Sequence, residues 1–431
     1  MGFPGIMTDK DTAFQNEPSC RSDHDPRSLP VEAAWERIRT VIEPVHGTER
    51  VTVRQALGRV LAAPVQSSIN VPAQDNAAMD GYALRGADIP AAGTQTLACV
   101  GTVLAGASFT RAMQPGECVR IMTGAPIPPG ADTVVMQENV QCAGRQITIQ
   151  AAETPGQNVR PAGEDLLQGD TVLMAGQRVG PAELGMLGSL GLVEVPVYRR
   201  VRVAFFSTGD ELRIAGSTLE PGQIYDSNRY TLFAALQRLG VEATDMGVVA
   251  DDPHVMEQAF TDAASFADAI ITSGGVSVGE ADFVKEIMGR LGEVAFWKIA
   301  MRPGRPLAFG TIGQARFFGL PGNPVSVVAT WYQIVQPALR RLMGEDPQPP
   351  MTFRVRTANA LRKRPGRTEF QRGVLSRDGD GELVVTTTGS QGSGILRSVS
   401  LANCFIVLPH DGGDVAAGSR VEVQPFEGVM G

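Results

Sequence analysis

Short apolar runs alternate with longer amphipathic stretches between residues 201 and 343, and this rhythm constrains the fold more than any other feature of the chain. The pattern predicts strands over 201–206, 241–250, 267–272 and 315–320. It predicts helices over 228–239, 253–266 and 324–343, and one more after Glu280. Strands that alternate with helices in this way form a doubly wound α/β domain around a largely parallel sheet, which we place at 201–345.

Polar and glycine-rich turns follow the predicted strands, at 207–211, 251–253, 273–282 and 321–324. The carboxyl ends of parallel strands meet at one edge of an open sheet, where ligands bind, and glycines there let backbone N–H groups approach an anion at a helix start. The turns therefore predict a site for a phosphate-bearing ligand, with candidate binding residues Ser207, Thr208, Ser273, Gly274, Gly275, Ser277, Pro321, Gly322, Asn323 and Pro324. For the last four, the competing interpretation is a sharp strand-to-helix reversal, capped by Asn323, that only shapes a loop.

Carboxylates at the same turns predict a bound cation. Glu211, Asp251 and Asp282 would repel a phosphate unless a cation lay between them, and Mg²⁺ bridges carboxylates to phosphates. Asp251 and Asp282 are the candidate Mg²⁺ ligands. The pattern alone favours neither a functional nor a non-functional role for Glu211 and Asp251, and a helix-dipole role for Asp282 stays open as the alternative. Asp252 is better explained as the N-cap of the helix over 253–266.

A compact basic segment lies between the predicted strands. Lys298, Arg302 and Arg305 are separated by turn residues, and Pro303 and Pro306 restrict the directions in which they point. In an acidic protein, such a segment is typical of a clamp for an oxyanion. The competing interpretation is a solvated turn.

The flanking regions have other compositions. Residues 1–27 are polar and without periodicity, so a disordered tail is expected. A helical linker domain is expected over 28–70 and 166–200, with helices capped by Ser28, over 54–62 and over 181–190. Short alternating runs rich in Gly and Pro predict an inserted β domain over 71–165. Strands after a proline linker predict a C-terminal β-barrel domain over 346–431, with a sandwich as the alternative.

Composition argues against several classes of protein. The net charge is −8 without any lysine or arginine block, which argues against binding to nucleic acid or a membrane surface. The five cysteines form no CxxC pair and the four histidines are dispersed, so neither a disulfide framework nor a zinc site is expected. Neither a signal peptide nor a transmembrane run is expected. The 431 residues amount to about three times the length of a typical domain, so we expect a multidomain enzyme, and the cytoplasm is its expected location by default.

Six segments taken together resemble the MoeA family of molybdopterin molybdenumtransferases. They are 75–83, 120–129, 163–165, 207–212, 273–282 and 319–326, and the resemblance runs from 28 to 426 in the same order. It implies a homodimer of four-domain subunits, with a cleft between the α/β domain of one subunit and the inserted β domain of the other. It also implies a reaction in which adenylylated molybdopterin and molybdate give molybdenum cofactor, AMP and water, with a divalent cation such as Mg²⁺ required.

Functional positions carry over from the family by matching motif. The resemblance implies catalytic roles for Asp80, Thr123, Glu211, Asp251, Asp282, Lys298 and Arg302. It implies substrate-binding roles for Asp165, Pro321, Pro324, Arg372 and Ser393. Many relatives have lysines where this chain has Arg302 and Arg305, so the charge is kept but a planar fork replaces a point charge.

Other functions stay open at this stage. A non-catalytic molybdopterin carrier or scaffold would use the α/β domain as a docking platform, but it would not need the carboxylates and cations. A molybdopterin adenylyltransferase and a nucleotide pyrophosphatase of the competence-damage type are similar to the α/β domain alone, so the β insertion and terminal barrel favour metal insertion. The expected partners are the small-molecule substrates, the adenylyltransferase and acceptor molybdoenzymes.

Overall fold

The computed structural model describes residues 28–275 and 282–426, and their contacts divide them into two compact units. The first unit holds the described residues up to Glu49, Gly58–Val60 and those from Tyr198 onward; the second holds Arg50–Leu57 and Leu61–Val197. The tail expected over 1–27 lies outside the described residues. In the described part of the chain, no helix is long and apolar enough to span a membrane. The boundaries of the four expected domains stay predictions.

The first helix belongs to the core of the first unit. Helix α1 (Val31–Val41) buries Val31, Ala34 and Ile38, as its apolar stripe predicts. The cap expected at Ser28 is wrong, because Pro30 takes the N-cap position and no side chain bonds the first turn. Just before the helix, the Leu29 N–H donates to the carbonyl of Lys298 at 2.8 Å. The segment before α1 is therefore hydrogen-bonded to the backbone of the basic segment that begins at Lys298.

The second unit is built mainly from short strands, as its Gly and Pro content predicts. Strand β1 (Thr48–Thr52) leads into it. The strands that follow are β2 (Val65–Gln66), β3 (Asn76–Ala77), β4 (Gly81–Leu84), β5 (Thr94–Val103), β6 (Glu117–Ile121), β7 (Thr133–Met136), β8 (Gln141–Ala143), β9 (Gln146–Gln150), β10 (Val159–Arg160), β11 (Thr171–Leu173) and β12 (Glu194–Tyr198). Six of them form a sheet in the order β7-β4-β6-β5-β9-β8, in which β5 and β6 run parallel and the other pairs antiparallel. Every residue of β4 is buried, because both faces of the sheet are covered.

The second unit contains less helix than expected. Helix α2 (Pro181–Ser189) forms as predicted and buries Leu187. The helix expected over 54–62 is wrong: a single 3₁₀ turn, Val53–Ala56, forms instead. Gly58 follows with φ +74°, a left-handed conformation that ends helices. Two more 3₁₀ turns span Gly86–Asp88 and Gln137–Asn139.

The α/β domain follows the predicted rhythm closely. Its elements are β13 (Arg202–Thr208), β14 (Leu212–Arg213), β15 (Ile224–Tyr225), α3 (Ser227–Leu239), β16 (Glu242–Val249), α4 (Pro253–Phe266), β17 (Ala269–Ser273), α5 (Asp282–Leu291), β18 (Gly292–Lys298), β19 (Met301–Arg302), β20 (Pro306–Ile312), β21 (Ala315–Leu320), α6 (Pro324–Thr330), a π-helical turn (Trp331–Val335) and α7 (Gln336–Leu342). The sheet order is β16-β13-β17-β21-β20-β18. The first four strands are parallel, and β20 runs antiparallel to both of its neighbours, β21 and β18.

Helices cover both faces of this sheet, which confirms a doubly wound domain. Phe205 of β13 points into a core with residues of α1, α3 and the helical run from α6 to α7. Phe206 points into a second core with residues of α4 and α5. Successive side chains of a strand point to opposite faces, so a strand buried on both faces reads as one continuous apolar run.

The C-terminal domain is a closed barrel, as predicted, and not a sandwich. Its elements are β22 (Phe353–Thr357), β23 (Thr368–Arg377), β24 (Leu383–Thr387), α8 (Arg397–Leu401), β25 (Cys404–Leu408) and β26 (Arg420–Pro425). The order β23-β24-β22-β26-β25 closes through a β23–β25 pairing. Strand β19 adds to β23, with Arg302 opposite Glu369. The basic segment of the α/β domain is thereby joined to the barrel.

A buried lysine should be a main source of stability in the barrel. Lys363 is 4% exposed, and its Nζ donates to the carbonyls of Arg364, His410 and Gly412 at 3.0, 3.2 and 3.0 Å. We expect Lys363→Met to lower the free energy of unfolding by about 2–4 kcal/mol, because three carbonyls lose a charged donor. Arg354→Met, which removes an exposed cation from β22, should change it by less than about 0.5 kcal/mol. Chemical denaturation followed by circular dichroism measures both, and equal effects would contradict the role of Lys363.

Candidate active site

The ends of four parallel strands place the predicted turns side by side. Ser207 lies opposite Ser273 in the β13–β17 pair, and Ser273 lies opposite Leu320 in the β17–β21 pair. Thr208 lies opposite Val249, the last residue of β16. All four turns therefore share the carboxyl edge of the sheet, as their sequence pattern predicts.

Two glycines keep the turn after β17 close to the end of β13. Gly274 and Gly275 have φ values of +96° and +67°, which non-glycine residues rarely adopt. A Cβ on Gly274 would lie 2.5 Å from the carbonyl oxygen of Thr208, and one on Gly275 would lie 2.8 Å from Thr208 Oγ1. The Gly274 N–H donates to the carbonyl of Leu320 at 3.1 Å. Glycine at 274 thus allows the turn to approach the backbone at the end of β13, and glycine at 275 leaves room for the Thr208 side chain.

Among the described side chains, the carboxylates that border this edge do not gather into one cluster. Glu211 and Asp251 are exposed, and the Asp251 N–H donates to Asp210 Oδ1 at 3.2 Å. Within residues 28–275 and 282–426, no group of three or more acidic, His or Cys side chains is arranged to hold a metal ion. Asp282 begins α5, but its side chain lies outside the described part of the chain, as does the whole of Ser277.

Asp252 is a helix cap, as expected. Its Oδ1 accepts hydrogen bonds from the N–H groups of His254 at 2.9 Å and Val255 at 3.0 Å. These bonds satisfy two of the N–H groups that the first turn of α4 leaves without partners. Asp252 therefore has a structural reason to be present that is independent of any ligand.

Asn228 is a residue of this edge that sequence reasoning missed. Its Nδ2 donates to Ser273 Oγ at 2.8 Å and to the carbonyl of Gly322 at 2.7 Å. It lies on the buried stripe of α3, in line with Leu232 and Leu239. The available signal was an asparagine at a position where the helical period calls for an apolar residue, since a buried amide is costly unless it is hydrogen-bonded.

Three buried polar atoms at this edge have no hydrogen-bond partner among the described residues: Ser207 Oγ, Thr208 Oγ1 and Asn228 Oδ1. Buried polar groups in proteins are nearly always hydrogen-bonded, so each exception needs an explanation. A polar ligand bound at the carboxyl edge is the explanation that the parallel sheet favours.

The barrel contributes a buried cation beside the basic segment. Arg372 is 1% exposed; its Nε donates to Ser398 Oγ at 2.9 Å and its Nη2 to the carbonyl of Gly392 at 3.0 Å. Within the described part of the chain, no carboxylate pairs with it. Burial, and then the charge of Arg302, lowers the pKa of Arg372 to about 10. Arg302 itself is exposed and pairs with Glu369 at 3.3 Å.

A barrel carbonyl, not Asn323, bonds the start of α6. Asn323 occupies the N-cap position, but its side chain makes no capping hydrogen bond, so the expected cap is wrong in this respect. The Val325 N–H instead donates to the carbonyl of Ser393 at 3.0 Å. Pro324 takes the first helical position as expected. The barrel loop with Ser393 is thus fastened to the turn that contains Pro321 and Gly322, whereas Lys298 lies half-buried at the end of β18.

The remaining predicted residues belong to the second unit. Asp80 Oδ1 accepts hydrogen bonds from the N–H and the hydroxyl of Thr123, both at 2.7 Å. These two bonds, in that order, hold the pKa of Asp80 below its usual value, and the charge of Arg120 adds to the effect. Asp165 is exposed, and its N–H donates to the carbonyl of Val71 at 2.9 Å.

Fold and site together define a multidomain α/β protein in which four polar turns meet at the carboxyl edge of a parallel sheet, the edge where such folds bind ligands. Three family profiles match in chain order: MoeA N-terminal region (domain I and II) at 29–191, probable molybdopterin binding domain at 204–341, and MoeA C-terminal region (domain IV) at 354–426. The chain belongs to the MoeA family of molybdopterin molybdenumtransferases. It is accordingly a transferase of molybdenum cofactor biosynthesis.

Individual relatives are similar to this chain along almost its whole length. A molybdopterin molybdenumtransferase of Haemophilus influenzae is 45% identical over 387 residues, which cover 89% of this chain and 95% of that protein. One from Nostoc sp. is 36% identical over 432 residues, covering 95% and 99%. The crystal structure of a molybdopterin biosynthesis MoeA protein from Pyrococcus horikoshii is 32% identical with a TM-score of 0.76, covering 93% of this chain and 100% of that one.

The contact between Gly274 and Thr208 predicts a marked difference between two glycine substitutions. We expect Gly274→Ala to lower the free energy of unfolding by about 1–3 kcal/mol, because the added Cβ meets backbone and φ is positive. A Cβ on Gly322 would have no neighbour within 4 Å, so Gly322→Ala should cost less than about 0.5 kcal/mol. Thermal unfolding of both variants checks this. A Gly322→Ala variant as unstable as Gly274→Ala would contradict the steric argument.

The Thr123 hydroxyl should account for part of the lowered pKa of Asp80. In Thr123→Val the hydroxyl is lost and the backbone N–H stays, so we expect the pKa of Asp80 to rise toward its ordinary value. Carboxyl ¹³C NMR titration measures it. Thr96→Val, which removes a distant threonine hydroxyl bonded to Thr148, serves as the control and should leave Asp80 unchanged. An equal shift in both variants would show that the local bond is not the cause.

Proposed function

We propose that this chain inserts molybdenum from molybdate into adenylylated molybdopterin and releases AMP. The observation that carries the proposal is Arg372, a buried guanidinium to which the described residues offer no carboxylate. An unpaired buried charge is costly, and an anion that reaches it removes that cost. Arg302 lies close enough to lower the pKa of Arg372, so a dianion between the two would be favoured by both charges.

The carboxyl edge of the sheet suits the other substrate. Ser207, Thr208 and Ser273 supply hydroxyls, and the glycines at 274 and 275 keep the backbone close to the edge. Hydroxyls and backbone N–H groups are the donors that bind pyrophosphate oxygens at such turns. We assign the pyrophosphate of adenylylated molybdopterin to this edge. The loop with Ser393 lies next to it, because it bonds the start of α6.

Mg²⁺ fits the carboxylates that border the edge. The ion usually keeps several waters and takes only one or two carboxylates together with phosphate oxygens, so it does not need a cage of three acidic side chains. Exposed Asp251, and Asp282 at the start of the neighbouring helix, would hold it. When bound, Mg²⁺ would neutralise charge on the pyrophosphate.

The roles of the chain's own residues follow from charge. Arg372 and Arg302, with Lys298, would hold molybdate, and the edge would hold the pyrophosphate. A molybdate oxygen attacks the phosphorus of the AMP group, and the P–O bond to the pterin phosphate breaks. The bond from molybdenum to that oxygen then breaks and AMP leaves with it. The two dithiolene sulfurs bind the molybdenum and give up their protons, and a second molybdate oxygen leaves with these protons as water. Asp80, Thr123, Asp165 and Glu211 keep the roles implied by the family resemblance as part of this proposal.

The proposal also includes the assembly that the family resemblance implies. We propose a homodimer that receives its substrate from the molybdopterin adenylyltransferase and delivers its product to acceptor molybdoenzymes. Sedimentation equilibrium checks the dimer directly, because a mass of one chain at micromolar concentration would contradict it.

Turnover of adenylylated molybdopterin tests the reaction. We expect AMP release that requires both molybdate and Mg²⁺ and is matched by molybdenum bound to pterin. Tight pterin binding without AMP release would favour the carrier, and AMP release without molybdate would favour a pyrophosphatase. Asp282→Asn should slow AMP release at saturating Mg²⁺; an unchanged rate would remove that carboxylate from the site.

Molybdate should stabilise the protein through Arg372. At about 100 times its dissociation constant, a ligand that binds only the folded state adds about 2.7 kcal/mol to the free energy of unfolding. We expect molybdate to raise the melting temperature of the unmodified protein but not that of Arg372→Met. Arg377→Met, which removes an exposed arginine from the same strand, is the control and should keep the full shift. A full shift in Arg372→Met would place the oxyanion elsewhere.

A further inference from the structure

One side-chain amide connects three segments at the edge of the sheet. Asn228, in the first turn of α3, donates one N–H to Ser273 Oγ at the end of β17 and the other to the carbonyl of Gly322 in the turn before α6. A backbone carbonyl can only accept, so the contact with Gly322 fixes which side of the amide carries the nitrogen. Both donors of Asn228 are therefore committed to the two turns.

These bonds determine how Ser273 can act. Its oxygen accepts a hydrogen bond from Asn228, so its hydroxyl hydrogen is available to donate to a different acceptor. Within residues 28–275 and 282–426, Ser273 Oγ makes no second hydrogen bond. Ser273 lies at the carboxyl end of β17, where the sheet receives ligands. Asn228 thus leaves the hydroxyl of Ser273 as a donor for a ligand oxygen.

Packing alone gives no reason for an asparagine at this position. Asn228 is 9% exposed on a stripe with Leu232, Leu236 and Leu239, and its Oδ1 has no hydrogen-bond partner among the described residues. An apolar side chain would fill such a position without the desolvation cost of an amide. The amide is explained by the two turns that it joins.

We propose that Asn228 is a positioning residue for the transferase reaction. It fixes the spacing between the turn at 273–275 and the turn at 321–323, and it directs the hydroxyl of Ser273 toward the pyrophosphate of the substrate. This inference rests on the proposed function, which places the substrate at this edge. It extends that function to a residue outside the set implied by the family resemblance.

Amide hydrogen exchange without ligand tests the connection between the turns. The Gly274 N–H spans the same two turns through its bond to Leu320. In Asn228→Ala we expect this amide to exchange about tenfold faster, because local opening becomes easier. Asn403→Ala is the matched control, since Asn403 also makes two hydrogen bonds with its side-chain amide, both to the backbone of Leu375 in the barrel. Unchanged exchange at Gly274 in Asn228→Ala would overturn the proposal.

Steady-state AMP release tests the effect on catalysis. We expect Asn228→Ala to lower kcat about 10–100-fold with KM within about threefold, because a misplaced donor is felt mainly in the transition state. Asn228→Leu keeps a branched side chain, loses both donors and adds no charge, so it should show the same loss even if the alanine variant is unstable. Asn403→Ala should stay within about twofold of the unmodified protein. A rise in KM with unchanged kcat would overturn the positioning role.

A double-mutant cycle tests whether Asn228 acts through Ser273. If it does, Asn228→Ala combined with Ser273→Ala should lose no more kcat than the worse single variant. Losses that multiply would show independent action and overturn this step. The proposed function and the role of Asn228 are tested separately. Absence of AMP release by the unmodified protein would contradict the proposed function, whereas the exchange rate of the Gly274 amide tests the role of Asn228 without any turnover.

Discussion

Parallel pairing of β16, β13, β17 and β21 is the constraint on which the site depends. Because these strands run in one direction, every polar turn that follows them reaches the same edge of the sheet. Register matters as much as direction. A slip of one residue would turn Ser207 and Ser273 to the opposite face, away from α3 and Asn228. The apolar runs that fill both cores therefore also position the hydroxyls.

The barrel completes this edge by two separate connections. Strand β19 pairs with β23, which sets Arg302 beside Glu369 and near Arg372. The carbonyl of Ser393 bonds the start of α6. A buried guanidinium without a carboxylate among the described residues is stable only because the surrounding fold holds it. The energetic cost of burying Arg372 and its proposed use in binding thus both come from a buried positive charge that no described carboxylate neutralises.

Short-range sequence signals predicted the helix ends at which the expected capping residue or glycine takes its usual conformation. Gly240 ends α3 in a left-handed conformation and Asp252 caps α4, so the end of α3 and the start of α4 were predicted correctly from sequence. The prediction failed where another residue ended the helix or supplied the expected hydrogen bond. Gly58 limited the helix expected over 54–62 to one 3₁₀ turn, and the distant Ser393 supplied the bond expected from Asn323.

By itself, the sequence determined the alternation of strands and helices, the turns at the sheet edge and the motifs that mark the family. Each of these patterns is contained in a segment of about 20 neighbouring residues. Only the tertiary structure decided which distant groups meet. It joined Asn228 to Ser273 and Gly322, and it buried Arg372 on the barrel strand that pairs with Arg302. Such contacts depend on strand order and register, which short-range patterns do not encode, so the geometry of the site becomes visible only when the sheet and the barrel have formed.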